Sequence, residues 1–151
     1  TGMAHGVKFM NEESRRLTID LLFAEKCSCI IRNGDEMRIF RERGVKDLYG
    51  LLESGDRLLR GAFVADKVVG KGAAALMVLG GVGELFADVI SQSALRLLEH
   101  NNVKVDYTIA VPHIINRTGT DWCPIEKLCM QCTTAEECLP LIRGFIEKLP
   151  K

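Results

Sequence analysis

Leucines recur at 17, 21 and 22 among the polar residues of EESRRLTIDLLFA, with Ile19 and Phe23 widening the apolar side. This spacing predicts a first helix over 12–25. CSCIIRNGDEMRIF (27–40) places two short apolar runs around Asn33-Gly34, a dipeptide that supplies the positive φ angles of a tight turn, so an antiparallel hairpin is expected. VKDLYGLLESG (45–55) reads as a helix that stops at Gly55, and LLRGAFVADKVV (58–69) as a strand bent near Asp66. GKGAAALMVLGG (70–81) is so nearly all apolar that it predicts a helix buried on several sides. ELFADVI (84–90) and VKVDYTIAV (103–111) read as strands; SQSALRLLEHNN (91–102) between them reads as a helix opened by Ser91 and closed around Asn101 and Asn102. A loop from Pro112 to Trp122 leads to a helix at about 124–132. Thr134 and Glu137 then form a capping box before the last helix, in which Pro140 predicts a kink or a later start.

The order is therefore helix, hairpin, helix, strand, helix, strand, helix, strand, helix, helix. Strands separated by single helices pair in parallel through right-handed crossovers, so the expected fold is a three-layer α/β/α sandwich around one mixed sheet of about five strands. A chain of 151 residues, 47% hydrophobic, has enough apolar material for one domain with a real core. Thr1 and Gly2 ahead of Met3 read as the remnant of a cleaved tag, residues 1–6 as a disordered start, and 7–151 as the domain.

Charge narrows the partners. Twenty basic residues balance twenty acidic ones and no Lys or Arg run forms a stripe, so nucleic acid is not an expected partner. The longest apolar stretch, 72–83, falls short of a membrane span, and no membrane association is expected. Six cysteines without a secretory signal are read as thiols of a cytoplasmic protein, and a homo-oligomer is compatible with this composition.

Two stretches could carry chemistry. VVGKGAAAL is not a P-loop, because Ala65 and Gly72 stand where the first glycine and the Ser or Thr are required. Its Gly70-Lys71-Gly72-Ala73-Ala74-Ala75 does fit the looser GxGxxA dinucleotide pattern, with Asp88 as a ribose contact; the alternative is that small residues let the helix pack closely on the sheet. Lys71 at a helix start would reinforce an anion site made by free N–H groups and the helix dipole. Cys123, Cys129, Cys132 and Cys138 could be zinc ligands, but one CxxC pair at a helix end lacks the usual second knuckle. Cys27 and Cys29, two apart on a strand, are read as buried hydrophobes sharing one face.

INRTGTDWCPIEKL (115–128) is the second stretch. Pro124 at the first helical turn puts Cys123 at the N-cap, where a thiolate is favoured, and His113 is the nearest candidate base in sequence. Glu126 shares the helix face of Cys123, and Thr118, Thr120 and Asp121 form either a cap or a polar ligand rim.

These two helix starts and the element order resemble the cytidine deaminase-like fold, in which an HAE-type motif and a PCxxC motif at two helix N-termini bind zinc at one pocket. Here VVGKGAA has neither the metal-binding His or Cys nor the Glu, and in DWCPIEK only Cys123 remains, with Glu126 where a second cysteine belongs. The pair of motifs looks like a bacterial family of uncharacterised proteins that keeps this fold without the zinc motif. The resemblance implies a metal-independent protein with no cofactor, without zinc-dependent deamination. It also implies a pocket for a small anionic or nucleotide-like ligand, bounded by Gly70, Lys71, Asn116, Thr118, Thr120, Asp121, Cys123 and Glu126. The alternative is an enzyme, a hydrolase or transferase, with Cys123 as nucleophile; a dinucleotide-binding protein is the third reading.

Overall fold

The computed structural model describes residues 11–42 and 44–149; the expectation for residues 1–6 lies outside them. Helix α1 (Glu12–Ala24) starts where the Asn11 side chain accepts from the Ser14 N–H at 2.8 Å and Glu12 and Glu13 meet the positive end of the helix dipole. Its inward face is not the expected leucine stripe. Thr18 and Leu22 are buried, whereas Leu17 is 58% exposed. Thr18 can turn inward because its hydroxyl donates to the Ser14 carbonyl one turn back.

The hairpin forms from β1 (Cys29–Asn33) and β2 (Glu36–Phe40), with its turn one residue later than expected. Asn33 closes the strand and donates from Nδ2 to the Leu58 and Arg60 carbonyls, both at 2.8 Å. Gly34 alone takes the positive φ (60°), as the first residue of a two-residue turn. Cys27 and Cys29 do not share a face. The chain bends at Ser28, placing Cys27 in the core beneath α1 and Cys29 in the core on the other side.

Helix α2 (Lys46–Glu53) follows, then β3 (Phe63–Val69), α3 (Lys71–Gly80), β4 (Glu84–Ser91), α4 (Gln92–His100) and β5 (Lys104–Val111). Leu58 to Gly61, expected within the strand, is a turn whose Leu58 and Leu59 enter the core. The sheet order is β2-β1-β3-β4-β5: β1 is antiparallel to both neighbours, and β3, β4 and β5 are parallel. Helix α5 (Pro124–Cys129) and helix α6 (Ala135–Glu147) complete the chain. The Thr134 and Glu137 capping box is present, and α6 runs through Pro140 without a later start. Both Pro140 and Glu136, whose carbonyl the proline cannot bond, are exposed, so water can take that role.

The helices divide unequally between the two faces. On one, α1 packs through Leu22 on Ile30, Phe63 and Ala65, and Arg15 ties it to Glu84 (2.7 Å) and to Asp106. On the other, the larger core is made by α2, α3, α4, α5 and α6, with α3 at its centre: every residue from Lys71 to Met77 is buried. A helix surrounded in this way cannot show a polar face, which is why its sequence is so nearly apolar.

Candidate functional site

β3 runs beyond its antiparallel pairing with β1, which ends at Cys29 opposite Asp66. A cavity of about 630 Å³ opens there, bounded by the start of β1, the segment between β2 and α2, the end of β3 and the starts of α3 and α5. A ligand-sized cleft of this kind, mostly apolar with a few polar groups, suits small-molecule binding. Gly70, Cys123 and Glu126, expected at the site, line it.

Glu126 is 3% exposed and fully engaged. It accepts from the Lys71 N–H (2.8 Å) and the Ser91 hydroxyl (3.3 Å) through Oε1, and from the Ile114 N–H (2.7 Å) through Oε2. The free N–H groups and dipole of a helix start favour an anion, and at α3 that anion is the protein's own carboxylate. Glu126 thereby joins α5 to the start of α3, the end of β4 and the loop after β5. The glycines beside it have a packing role: a Cβ on Gly72 would lie 2.1 Å from Ile125 Cγ2, and one on Gly70 3.1 Å from Glu126 Oε1. Close helix approach explains the small residues of VVGKGAA without a dinucleotide.

Lys71 does not face Cys123 across this cavity. Its side chain is buried, and Nζ donates to the carbonyls of Cys132 and Met130, the latter at 3.4 Å. The ammonium thus caps the end of α5, which stops at Cys129, short of the expected 132. Lys71 lines a separate cavity of about 410 Å³ with Arg96, His100 and Thr134.

Asn116, Thr118, Thr120 and Asp121 also lie outside the larger cavity's wall. They form a self-contained exposed loop: Asn116 Oδ1 accepts from Thr118 Oγ1 and from the Thr120 N–H, both at 3.1 Å, and Thr118 and Thr120 share a 2.8 Å hydroxyl contact. Asp121 accepts from the Trp122 N–H at 2.7 Å and pairs with Lys127, which together hold its carboxyl below the usual range. The His113 ring stacks on Trp122 with centroids 3.4 Å apart. Cys123 is the N-cap of α5 but makes no side-chain capping bond; its thiol is half-buried in the cavity wall. Cys129 and Cys138 are buried between α5 and α6 in the core. Among the described residues, no three His, Cys, Asp or Glu side chains are grouped to hold a metal ion.

The feature that spacing did not reveal is Asp66. It sits in a lateral row across the sheet, Phe40-Cys29-Asp66-Ala87, that is otherwise apolar or thiol, and it is only 8% exposed. Burial pushes its pKa up to about 7, against the opposing pull of the Val68 N–H, which donates to Oδ1 at 3.2 Å, the Cys29 thiol and the Lys67 N–H. The same burial, with Asp66 opposite, raises the Cys29 thiol well above its ordinary value. The one signal in the sequence is an acid inside FVADKVV, a run that otherwise reads as a buried strand.

Fold and cavity together define an α/β protein with a five-stranded mixed sheet and a recessed, largely apolar pocket at the end of its central strand. Residues 18–146 match the family TM1506, described as a domain of unknown function (DUF1893), and the chain belongs to that family. A solved structure of a DUF1893 family protein (TM1506) from Thermotoga maritima is similar to it, with a TM-score of 0.83 and 24% identity, covering 95% of this chain and 97% of that one. This likeness is one of fold. No curated protein matches the chain. No described helix is long and apolar enough to cross a membrane.

Proposed function

We propose that this protein binds a small nucleotide-like ligand in the 630 Å³ cavity, on a zinc-less fold of the cytidine deaminase-like kind. The cavity itself carries the reading. A recessed, mostly apolar space of this size with a few polar groups has the form of a small-molecule site. The deaminase-like reading is supported by the element order and by the starts of α3 and α5 opening on this same cavity. The anion site expected deep in the pocket is filled by Glu126, so the ligand's anionic part belongs at the edge, near Lys26, Arg41 and Lys67, with its ring inside.

Thermal unfolding with nucleotides, nucleobases and phosphorylated metabolites tests this. A ligand at a hundredfold excess over its Kd stabilises by about 2.7 kcal/mol, a Tm rise of roughly 5–10 °C for a domain this size. Val68→Trp, which fills the cavity from its wall, should abolish the rise, while Lys71→Ala should preserve it. No stabilisation by any of these compounds, or an equal rise in Val68→Trp, contradicts the proposal.

A second reading, a Cys123-dependent enzyme, is favoured by the place of that thiol in the cavity wall beside Glu126. Iodoacetamide separates the two. An activated nucleophile reacts faster than an exposed thiol at neutral pH; a ligand-contacting thiol reacts no faster and is protected by the bound ligand.

A further inference from the structure

Asp66 raises a question that the cavity alone does not answer, namely why a carboxyl group stands in an apolar row. None of the ion pairs among the described residues includes it. The nearest cation in sequence, Lys67, lines the same cavity but is in none of these ion pairs with Asp66. A buried carboxyl without a countercharge is expensive and gains its partner when a ligand brings one. The cavity's other titratable groups do not serve. Glu126 is committed to joining α5 to the start of α3, the end of β4 and the loop after β5, whereas the donors to Asp66 come from its own strand and the adjacent β1; Glu42 and Asp47 carry the same sign. Cys27, Cys29 and Cys123 are thiols, and Lys26 and Arg41 flank the hairpin at the cavity edge, where Arg41 donates to the Lys26 carbonyl at 2.9 Å.

We infer that Asp66 is the ligand-selecting group of this cavity and that it recognises an amidine edge, two nitrogens on one carbon, presented by a flat ring. The inference rests on the cavity being a ligand site. A planar carboxyl pairs with two nitrogens side by side, a contact that is specific as well as strong, and Oδ1 retains a second lone pair beside its bond from the Val68 N–H. The edge can come from two sources. A cationic amidinium donates both hydrogen bonds to the ionised carboxylate. A neutral aminated ring donates one from its amino group and accepts one at its ring nitrogen, which requires the protonated carboxyl. Because Asp66 changes protonation near neutrality, pH tells the two apart.

Benzamidine, 2-aminopyrimidine and acetophenone, which has similar size but no N–H, are the probes, with binding measured calorimetrically from pH 6 to 8.5. Benzamidine should bind about tenfold more tightly at pH 8.5 than at pH 6, as the ionised fraction of Asp66 rises through its pKa; 2-aminopyrimidine should weaken over the same interval. Acetophenone should bind more weakly than either. Asp66→Asn keeps the shape, and it should abolish benzamidine binding and leave 2-aminopyrimidine binding independent of pH. Probes that bind no better than acetophenone, that fail to bind at all, or whose pH dependence persists in Asp66→Asn overturn the inference. If acetophenone or a nucleotide still binds the parent but not Val68→Trp, the cavity reading survives that result; binding undiminished in Val68→Trp removes the cavity reading as well.

Discussion

Asp66 works against the fold that contains it. Its carboxyl holds a proton up to about pH 7 when folded, but only to about its ordinary 3.8 when unfolded. Between those values the folded state binds more protons, so this group's effect is that stability falls as pH rises from about 4 to 7 and is level above. Asp66→Asn removes that cost. Chemical denaturation should show the variant more stable than the parent at pH 8, on the order of 2–4 kcal/mol, and close to it at pH 4. An equal or lower stability at pH 8 would mean that the buried carboxyl is compensated and has no need of a ligand. A residue that costs stability where an isostere would not is a mark of function. Glu126 and Lys71 show the limit of sequence reading at this scale. Spacing put both at helix starts, but only three-dimensional contacts show that Glu126 neutralises the start of α3 and that Lys71 is spent on the end of α5.

At the scale of elements, the hydrophobic periodicity located every helix and strand among the described residues, most clearly in α3, where no residue is exposed, whereas the edge strand β5 has no buried residue and shows only its alternating pattern. It was least informative where burial is decided by tertiary contacts. Leu17 and Thr18 exchange their expected places on α1, and Leu58 and Leu59 belong to a turn that the core nevertheless covers. The crossing of α3 and α5 depends on Gly72, whose Cα faces the Ile125 side chain. Gly72→Ala gains helix propensity but drives a methyl into buried Ile125, and the net loss should be about 1–3 kcal/mol. Because this crossing also sets where Cys123 and Glu126 meet the cavity, the variant should lose ligand stabilisation as well. Unchanged stability in urea unfolding would show that the two helices are not closely apposed there.

At the scale of the whole molecule, the five-stranded mixed sheet followed from the order of elements, since strands joined through single helices became the parallel half and the Asn33-Gly34 segment the antiparallel half. The position of the cavity did not follow. It depends on β1 ending its pairing with β3 at Cys29 and Asp66, a register that no local pattern encodes. In the proposed function, the space opened by this mismatch is where a ligand sits. Titration of the isotopically labelled protein with a nucleoside monophosphate, followed by amide NMR, tests it residue by residue. The predicted result is a saturable set of shifts at Val68, Gly70, Gly72, Ile114 and Cys123, with little change in the 116–121 loop. Shifts confined to that loop or to the smaller cavity beside Lys71 and Thr134, or no saturable shifts with any nucleotide, would contradict it.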